Sequence, residues 1–234
     1  MTETSGNLLL DALPPDRRAA ILDRSKEAQL ERATYAFDAG SRISTVYFPI
    51  DTVASLVTVM SDGSSVEAAM IGRDGMVGIP VALGRRSWET TRAVIQIPGR
   101  AHAVSADDFE AVLADDGKLG DVMQSLTLAV MTEIAQSVAC NRLHPADQRL
   151  ARWLARGHDG AQRDEFPLTH EFLAEMLGVR RATVTVAAQT LKNEQLIAYR
   201  RGRLTIIDGD GLRAHACECY RVISAEYRRL VTGG

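Results

Sequence analysis

The segment from residue 169 to residue 203 constrains the fold of this chain more than any other part of its sequence. It reads THEFLAEMLGVRRATVTVAAQTLKNEQLIAYRRGR, with two short amphipathic stretches on either side of Gly178. Apolar residues recur there every three or four positions, which predicts helices. Because glycine adopts the positive φ that ends a helix, we expect the two helices to meet at a tight turn. This helix-turn-helix arrangement is the one that places a second helix in the major groove of DNA.

The two helices differ in what they present. Thr169 is a suitable N-cap for the first helix, and the second is predicted to run from about 180 to 193. Four apolar residues of the second helix are expected to be buried, namely Val184, Ala187, Ala188 and Leu191. The opposite face carries groups suited to bases and phosphates, namely Arg180, Arg181, Thr183 and Thr185.

A basic hairpin follows the second helix. Residues 199–207 read YRRGRLTII, which predicts two short strands joined at Gly202. The arginines beside the tip are Arg200, Arg201 and Arg203. Between residues 178 and 203 there are six Lys or Arg and one acid, although the whole chain has a net charge of −3. We therefore expect this wing to lie along a phosphate backbone and to add salt-dependent, sequence-independent affinity.

Length and charge indicate two units. A chain of 234 residues has room for two modest domains. Residues 1–143 contain 13 basic and 19 acidic residues, and residues 144–234 contain 14 and 11. An acidic front and a basic back suggest a sensing domain joined to a domain that binds a polyanion. The predicted divisions are a sensor domain over 1–117, a connecting helix over 118–143 and a DNA-binding domain over 144–234.

The front part has a different texture from the back. A helical lead-in is expected from Leu8 to Leu30, with Pro14 and Pro15 starting its second helix. Short β-type runs separated by turn residues then continue to about Ser105, at 45–48, 53–59, 65–71 and 92–97. Regular short strands with glycine turns are typical of an antiparallel β-roll or jelly roll. The fold class predicted for the whole chain is therefore α+β.

A long helix is predicted to connect the two units. A short helix at 107–115 precedes it, and it runs from about 118 to 142 before the His144-Pro145 break. Its apolar stripe consists of Leu119, Val122, Leu126, Val130, Ile134 and Val138. Pairing with the same helix of a second copy would cover this stripe and would match paired DNA half-sites. Packing against the chain's own β-roll is the alternative.

No targeting segment is apparent in the sequence. There is no run of about 18 apolar residues, and the polar start lacks a basic stretch before Leu8. The cysteines, which are Cys140, Cys217 and Cys219, are too few for a disulfide framework. We therefore expect a cytoplasmic protein that does not bind membranes.

With these pieces in order, the chain resembles the CRP/FNR family of bacterial transcription regulators. The resemblance covers roughly residues 8 to 230 and is most specific in the last ninety. Its matching stretches are VYFP at 46–49, IGRDGMVG at 71–78, DQRLARWL at 147–154 and the helix-turn-helix itself. It implies a cyclic-nucleotide-binding-like β-roll, a long dimerisation helix and a winged helix-turn-helix. It also implies a homodimer that reads a pseudo-palindromic operator through residues 180–193, with RNA polymerase as a partner.

The resemblance also implies roles for residues. Arg181 matches the first base-reading arginine of the catabolite-activator branch, but Ala182 and Val186 stand where that branch has a glutamate and a second arginine. Arg181 is therefore the first candidate for base contact, with Thr185 and Arg180 beside it. The candidates for phosphate contact are Thr169, His170 and Thr183, joined by the wing residues Arg200, Arg201 and Arg203.

The effector site departs from the family pattern. Members that bind cyclic AMP carry a glutamate in the phosphate cassette, whereas residues 77–83 read VGIPVAL here, and Arg92 is followed by Ala93. Binding of cyclic nucleotides in the usual way is therefore not expected, and a small-molecule effector, if one exists, stays unidentified. Sensing through an iron–sulfur cluster requires cysteines near the N-terminus, but the first cysteine is Cys140. No cofactor is expected.

Other classes of function fit less well. A metal-dependent enzyme on a β-roll needs two or three histidines, and His102 is the single histidine between residues 31 and 105. The run HACEC at 215–219 suggests a metal or redox site. On one continuous helix, however, Cys217 would point about 200° away from His215. Buried cysteines and no metal are therefore expected. The remaining alternative is a ligand-sensing or interaction module of the same fold that no longer binds DNA.

Overall fold

The N-terminal part of the chain is a β-roll preceded by two short helices. A computed structural model describes residues 4–114, 117–200 and 202–232. Helices α1 (Leu8–Asp11) and α2 (Pro15–Leu22) come first, and helix α3 (Ile79–Ala82) interrupts the strands after β5. The strands are β1 (Ser25–Leu30), β2 (Tyr35–Phe37), β3 (Thr45–Pro49), β4 (Val53–Val59), β5 (Ser65–Ile71), β6 (Thr91–Ile97) and β7 (Gly99–Ser105).

The strands form two antiparallel sheets around a common core. Their orders are β1-β7-β3 and β2-β6-β4-β5. Val46 and Phe48 of the first sheet are buried in the same cluster as Leu56 and Ile95 of the second. The predicted antiparallel roll and the four predicted strand runs are confirmed.

The helical lead-in is shorter than the sequence predicts. Residues 25–30, which fall in its predicted second helix, form strand β1 and pair with β7 from Ser25 opposite Val104 to Leu30 opposite Gly99. The run SKEAQL consists mostly of residues that favour helices in isolation. Hydrogen bonding to a strand some 70 residues further along the chain outweighs that local preference, since strand formation depends strongly on tertiary context.

The C-terminal half is mainly helical, as predicted. It contains α4 (Ala106–Ala114), α5 (Gly117–Leu143), α6 (Ala146–Ala161), β8 (Glu165–Phe166), α7 (His170–Leu177), α8 (Arg181–Asn193), β9 (Ile197–Arg200), β10 (Arg203–Ile206), α9 (Gly209–His215) and α10 (Glu218–Thr232). The break between α5 and α6 falls at His144 and Pro145 as expected. Within the described ranges, no helix combines the length and the hydropathy that crossing a membrane requires.

Helix α5 buries most of the stripe that was predicted to face a second copy. Leu119, Leu126 and Val130 lie in the core of their own chain, and Val122 and Ile134 pack against that core. The assignment of the three buried residues to a dimer surface is therefore wrong, because the roll and α10 already cover them. Of the predicted stripe, Val138 is exposed, with 69% of its surface accessible.

A buried group of charges joins the roll to the helices. Arg156 of α6 donates to Asp74 over 2.9 Å, lies 3.7 Å from Glu133 of α5, and stacks on the ring of Tyr227 of α10 at 4.7 Å. The Tyr227 hydroxyl donates to Glu133 over 2.9 Å. Burial disfavours the charged guanidinium, but Asp74 and Glu133 outweigh it and raise the pKa of Arg156.

Two glycines allow α6 to approach the roll closely. A Cβ added to Gly72 would lie 2.8 Å from the Cα of Gly160. A Cβ added to Gly160 would lie 2.7 Å from a methyl carbon of Val53. Because the backbone of Gly160 cannot give way as the end of a side chain can, the crossing requires glycine at position 72.

A second contact between the units depends on a buried carboxyl group. Glu67 of β5 accepts hydrogen bonds from Ser55 of β4 and from Nε1 of Trp153 on α6, the latter over 2.9 Å. Burial raises the pKa of Glu67 to about 7, and the neighbouring Glu133 also raises it. The hydrogen bonds from Ser55 and Trp153 and the charge of Arg152 oppose this rise.

Stability should therefore depend on the titration of Glu67. In the unfolded chain the group titrates near its ordinary value of 4.5, so the folded state binds more protons between pH 4.5 and about 7. The free energy of unfolding should fall across that window, by on the order of 3 kcal/mol. Urea denaturation at pH 5.5 and pH 8 would capture about 2 kcal/mol of this fall. Glu67→Gln should remove most of this pH dependence, whereas Glu31→Gln, at an exposed position, should not. An equal change in the free energy of unfolding between the two pH values in all three proteins would refute the assignment.

Candidate nucleic-acid interface

The helix-turn-helix has the local geometry that the sequence predicts. The Thr169 hydroxyl accepts from the Phe172 amide over 3.2 Å and caps α7. Gly178 ends α7 with φ 60° and ψ 40°. Helix α8 begins at Arg181, one residue later than predicted, because Arg180 is extended and occupies the N-cap position.

The inner face of α8 is buried as expected. Its four predicted core residues, Val184, Ala187, Ala188 and Leu191, are at most 6% exposed. They pack in one cluster with Leu173 and Leu177 of α7 and with Trp153 of α6. This packing fixes the direction in which the other face of α8 points.

The outer face of α8 is open. The side chain of Arg181 is 70% accessible and that of Val186 is 68% accessible. Ala182, Thr185 and Gln189 are also exposed, so the five residues form one continuous strip along the helix. Gln189 was not predicted, although its position four residues after Thr185 could have identified it.

His170 is held against the start of α8. Its Nδ1 lies 3.0 Å from the Thr185 hydroxyl, which itself donates to the Arg181 carbonyl over 3.1 Å. Its ring packs on Tyr199 of β9, with centroids 4.8 Å apart. Partial burial and the charge of Arg181 lower the pKa of His170. The imidazole is therefore a neutral hydrogen-bonding group at neutral pH. The predicted phosphate contact Thr183 is half-buried.

The wing is a three-stranded sheet in the order β8-β10-β9. Gly202 lies at its tip with φ 77°, and Arg200 is exposed. Arg203 forms an ion pair with Glu165 of β8, which balances part of its charge. This ion pair could not be predicted from the local pattern, because Glu165 lies 38 positions earlier, in a strand of two residues. Arg201 lies outside the described residues.

The roll reaches the turn of the helix-turn-helix without covering the strip. Ser65 of β5 donates to Glu175 of α7 over 2.7 Å. A Cβ added to Gly178 would lie 3.3 Å from a methyl carbon of Val66. The strip on α8 stays accessible beside this contact, so the roll does not cover the surface that would meet DNA.

The region that corresponds to the family's effector site is apolar. Arg92 forms an ion pair with Asp38 at 3.0 Å and stacks on Tyr35, so its guanidinium already has partners within the roll. A groove of about 340 Å³ separates α3 from α5. It is lined mainly by apolar side chains, including Ile79, Pro80, Leu83, Trp88, Val130 and Met131. This composition suits an apolar molecule better than a phosphate.

Comparison with known proteins agrees with this geometry. Residues 148–215 match the family model of the Crp-like helix-turn-helix domain. The global nitrogen regulator of Synechococcus elongatus is 26% identical over 191 residues, which cover 77% of this chain and 85% of that regulator.

Solved structures share the fold at low sequence identity. A CRP/FNR-family regulator from Eubacterium rectale superposes with a TM-score of 0.66 at 15% identity, covering 91% of this chain and 99% of the other. The c-di-GMP responsive regulator of Xanthomonas campestris gives 0.63 at 13% identity, covering 82% and 99%. A CRP-family regulator from Thermus thermophilus gives 0.62 at 18%, covering 81% and 96%.

The domain match covers the part of the chain where α7 and α8 form their turn. The superpositions extend the same architecture over the roll and α5. On these grounds residues 148–215 are a Crp-like helix-turn-helix domain, and the chain shares the fold of regulators of the CRP/FNR family.

Proposed function

We propose that the protein is a homodimer that reads a pseudo-palindromic operator by inserting α8 of each copy into the major groove. The open strip on α8, with its opposite face fully packed, is the observation that carries this proposal. Two recognition helices related by a two-fold axis would meet half-sites about 10 bp apart, centre to centre.

Within this proposal, Arg181 reads a base. Its side chain is long, exposed and at the first turn of α8, where recognition helices contact base edges. Its ion pair with Glu171 is 3.7 Å long and exposed, so it is readily exchanged for a guanine. Thr185 and Arg180 stand beside it as further base contacts. The methyl groups of Val186 suit a thymine methyl.

The proposed phosphate contacts surround this strip. Thr169 and His170 lie at the start of α7, where free amide groups favour an anion. The others are Thr183 and the wing residues Arg200, Arg201 and Arg203. Arg203 would have to exchange Glu165 for phosphate, so we expect Arg200 to contribute more.

Dimerisation is proposed through the outer face of α5. The exposed positions there recur at alternating intervals of four and three, which is the spacing of a coiled-coil seam. They are Gln124, Leu128, Met131, Ala135, Val138 and Arg142. Leu128 is 60% and Val138 69% exposed, and pairing with a second copy would remove both from water. We call this set the α5 seam.

The remaining parts of the proposal concern partners. The regulator would act in the cytoplasm at promoters, with RNA polymerase as its target and with an effector, if it has one, that fits the apolar groove beside α3. A module of the same fold that no longer binds DNA is the second candidate. Selection of bound fragments from a random duplex library separates the two, because the second candidate would enrich no sequence.

Arg181→Ala should weaken and relax operator binding. We expect a loss of about 1–3 kcal/mol per half-site and reduced discrimination at one base pair, because one bidentate base contact disappears. Arg200→Ala is the matched control, since it also removes one exposed arginine. It should weaken specific and random DNA alike and reduce the slope of log K against log salt by about one per contact. Fluorescence anisotropy over a salt series measures both, and equal losses of Arg181→Ala on operator and random duplex would contradict base reading.

Charges placed on the α5 seam should separate the dimer. Leu128→Glu and Val138→Glu would each bring two like charges together across the two-fold axis. We expect sedimentation equilibrium to show a shift toward monomer and a matching loss of operator affinity. Met60→Glu, at an exposed apolar position on the roll, is the control and should leave the mass unchanged. A seam variant that sediments like the parent protein would place the interface elsewhere.

A further inference from the structure

Four side chains that bind metals well converge where α5 and α6 meet α9 and α10. The sulfur atoms of Cys140, Cys217 and Cys219 and a ring nitrogen of His144 all lie within 4.8 Å of one another. The Cys140 and Cys217 sulfurs are 3.5 Å apart, and the Cys219 sulfur is 3.6 Å from Nδ1 of His144. The three cysteines are buried, and none of them forms a disulfide.

The helix geometry that the sequence predicts for residues 215–219 is wrong. One continuous helix was expected there, but α9 ends at His215 and α10 begins at Glu218, with Ala216 extended at φ −61° and ψ 148°. The break allows Cys217 and Cys219 to point to the same side. His215 turns away and bonds to Asp147 and Glu194. The other two ligands come from the far end of α5 and from the residue that follows it.

We propose that Cys140, His144, Cys217 and Cys219 form a tetrahedral Zn²⁺ site. With Zn–S near 2.3 Å and Zn–N near 2.0–2.1 Å, the edges of a regular tetrahedron measure about 3.6–3.8 Å. The two separations of 3.5 and 3.6 Å already match such edges. Three thiolates and one imidazole, shielded from solvent and with no position left open, are the ligand set of a structural zinc site.

The surroundings of the cluster support a metal. Nε2 of His144 lies 3.1 Å from a carboxylate oxygen of Glu218, so Nδ1 faces the sulfurs and is free to coordinate. A carboxylate on the outer nitrogen is the usual partner of a zinc-bound histidine.

Two buried arginines provide balancing charge. Arg149 interacts electrostatically with Cys140 and Cys217, and Arg152 with Cys140 and Cys219. Their Nε atoms lack a hydrogen-bond partner among the described residues. Zinc with three thiolates carries a net charge of −1, which these guanidinium groups would compensate.

The site would fasten the joint between the two halves of the molecule. Cys140 lies near the end of α5, which carries the α5 seam, and His144 lies at the break before α6. Arg149 donates to Asn141 of α5 over 2.8 Å and also to the Leu177 carbonyl at the end of α7. Arg149 therefore links α5, beside Cys140, directly to the helix-turn-helix. Zinc would fix the angle between α5 and the helix-turn-helix domain.

The test uses the full chain, purified under reducing conditions without chelators and with any affinity tag removed. Elemental analysis should find about one zinc per chain. Cobalt(II) added to metal-free protein should give the absorption of tetrahedral cobalt bound to thiolates, and zinc should displace it. Adding zinc to the metal-free protein should raise its melting temperature, because the metal binds the folded state.

Variants assign the ligands. Cys219→Ser and His144→Asn should each lower retained zinc to below about a tenth of the wild-type content. Glu218→Gln should weaken zinc binding by about 10- to 100-fold, since it orients His144 without touching the metal. His215→Gln is the matched control, because that histidine adjoins the motif in sequence but lies outside the cluster, and it should retain zinc fully.

Three results would overturn the proposal. One is reduced wild-type protein that holds no zinc and gives no cobalt spectrum, a measurement that does not depend on whether the variants fold. Another is full zinc retention in both Cys219→Ser and His144→Asn. The third is a Cys140–Cys217 disulfide in zinc-loaded protein that is kept in air, with dioxygen as the oxidant. Operator binding measured in parallel keeps the failure of this site distinct from a failure of the DNA-binding proposal.

Discussion

A buried guanidinium holds the architecture together. Arg156 lies at the point where α5, α6, α10 and the turn after β5 meet, and it carries its charge out of water. Such a charge is tolerated only with close partners, and here Asp74 and Glu133 provide them while Tyr227 covers one face. Removal of Arg156 would leave the buried carboxyl groups of Asp74 and Glu133 without this cation. The four elements are therefore fixed relative to one another by an electrostatic requirement as well as by apolar packing.

The DNA-binding domain is consequently packed on the roll rather than tethered to it. Val53, Met70 and Ile97 of the roll are buried in the same cluster as Trp153 and the core of the helix-turn-helix. Glu67 links β5 to Trp153, and Ser65 links the same strand to α7. A single strand thus contacts both the helix that supports the DNA-binding domain and the helix that braces α8. Any displacement of β5 acts on both.

Local patterns in the sequence predicted what local physics determines. The cap at Thr169, the glycine turn, the buried stripe of α8 and the wing were all predictable, because each depends on residues within a few positions of one another. Strand β1 was not, since its partner is far along the chain. The cysteine cluster was missed because a short break between α9 and α10 redirects two side chains. The face of α5 that meets the chain's own core was misassigned because that helix is apolar on more than one side, and periodicity does not say which side is buried.

That double character of α5 has a consequence at Met131. This side chain is exposed, lies on the α5 seam and also lines the apolar groove beside α3. A molecule bound in the groove would press on a thioether that would also face the second copy in the proposed dimer. Filling the groove would then change the separation between the two paired α5 helices. The flexible, polarisable side chain of Met131 would be the part that moves.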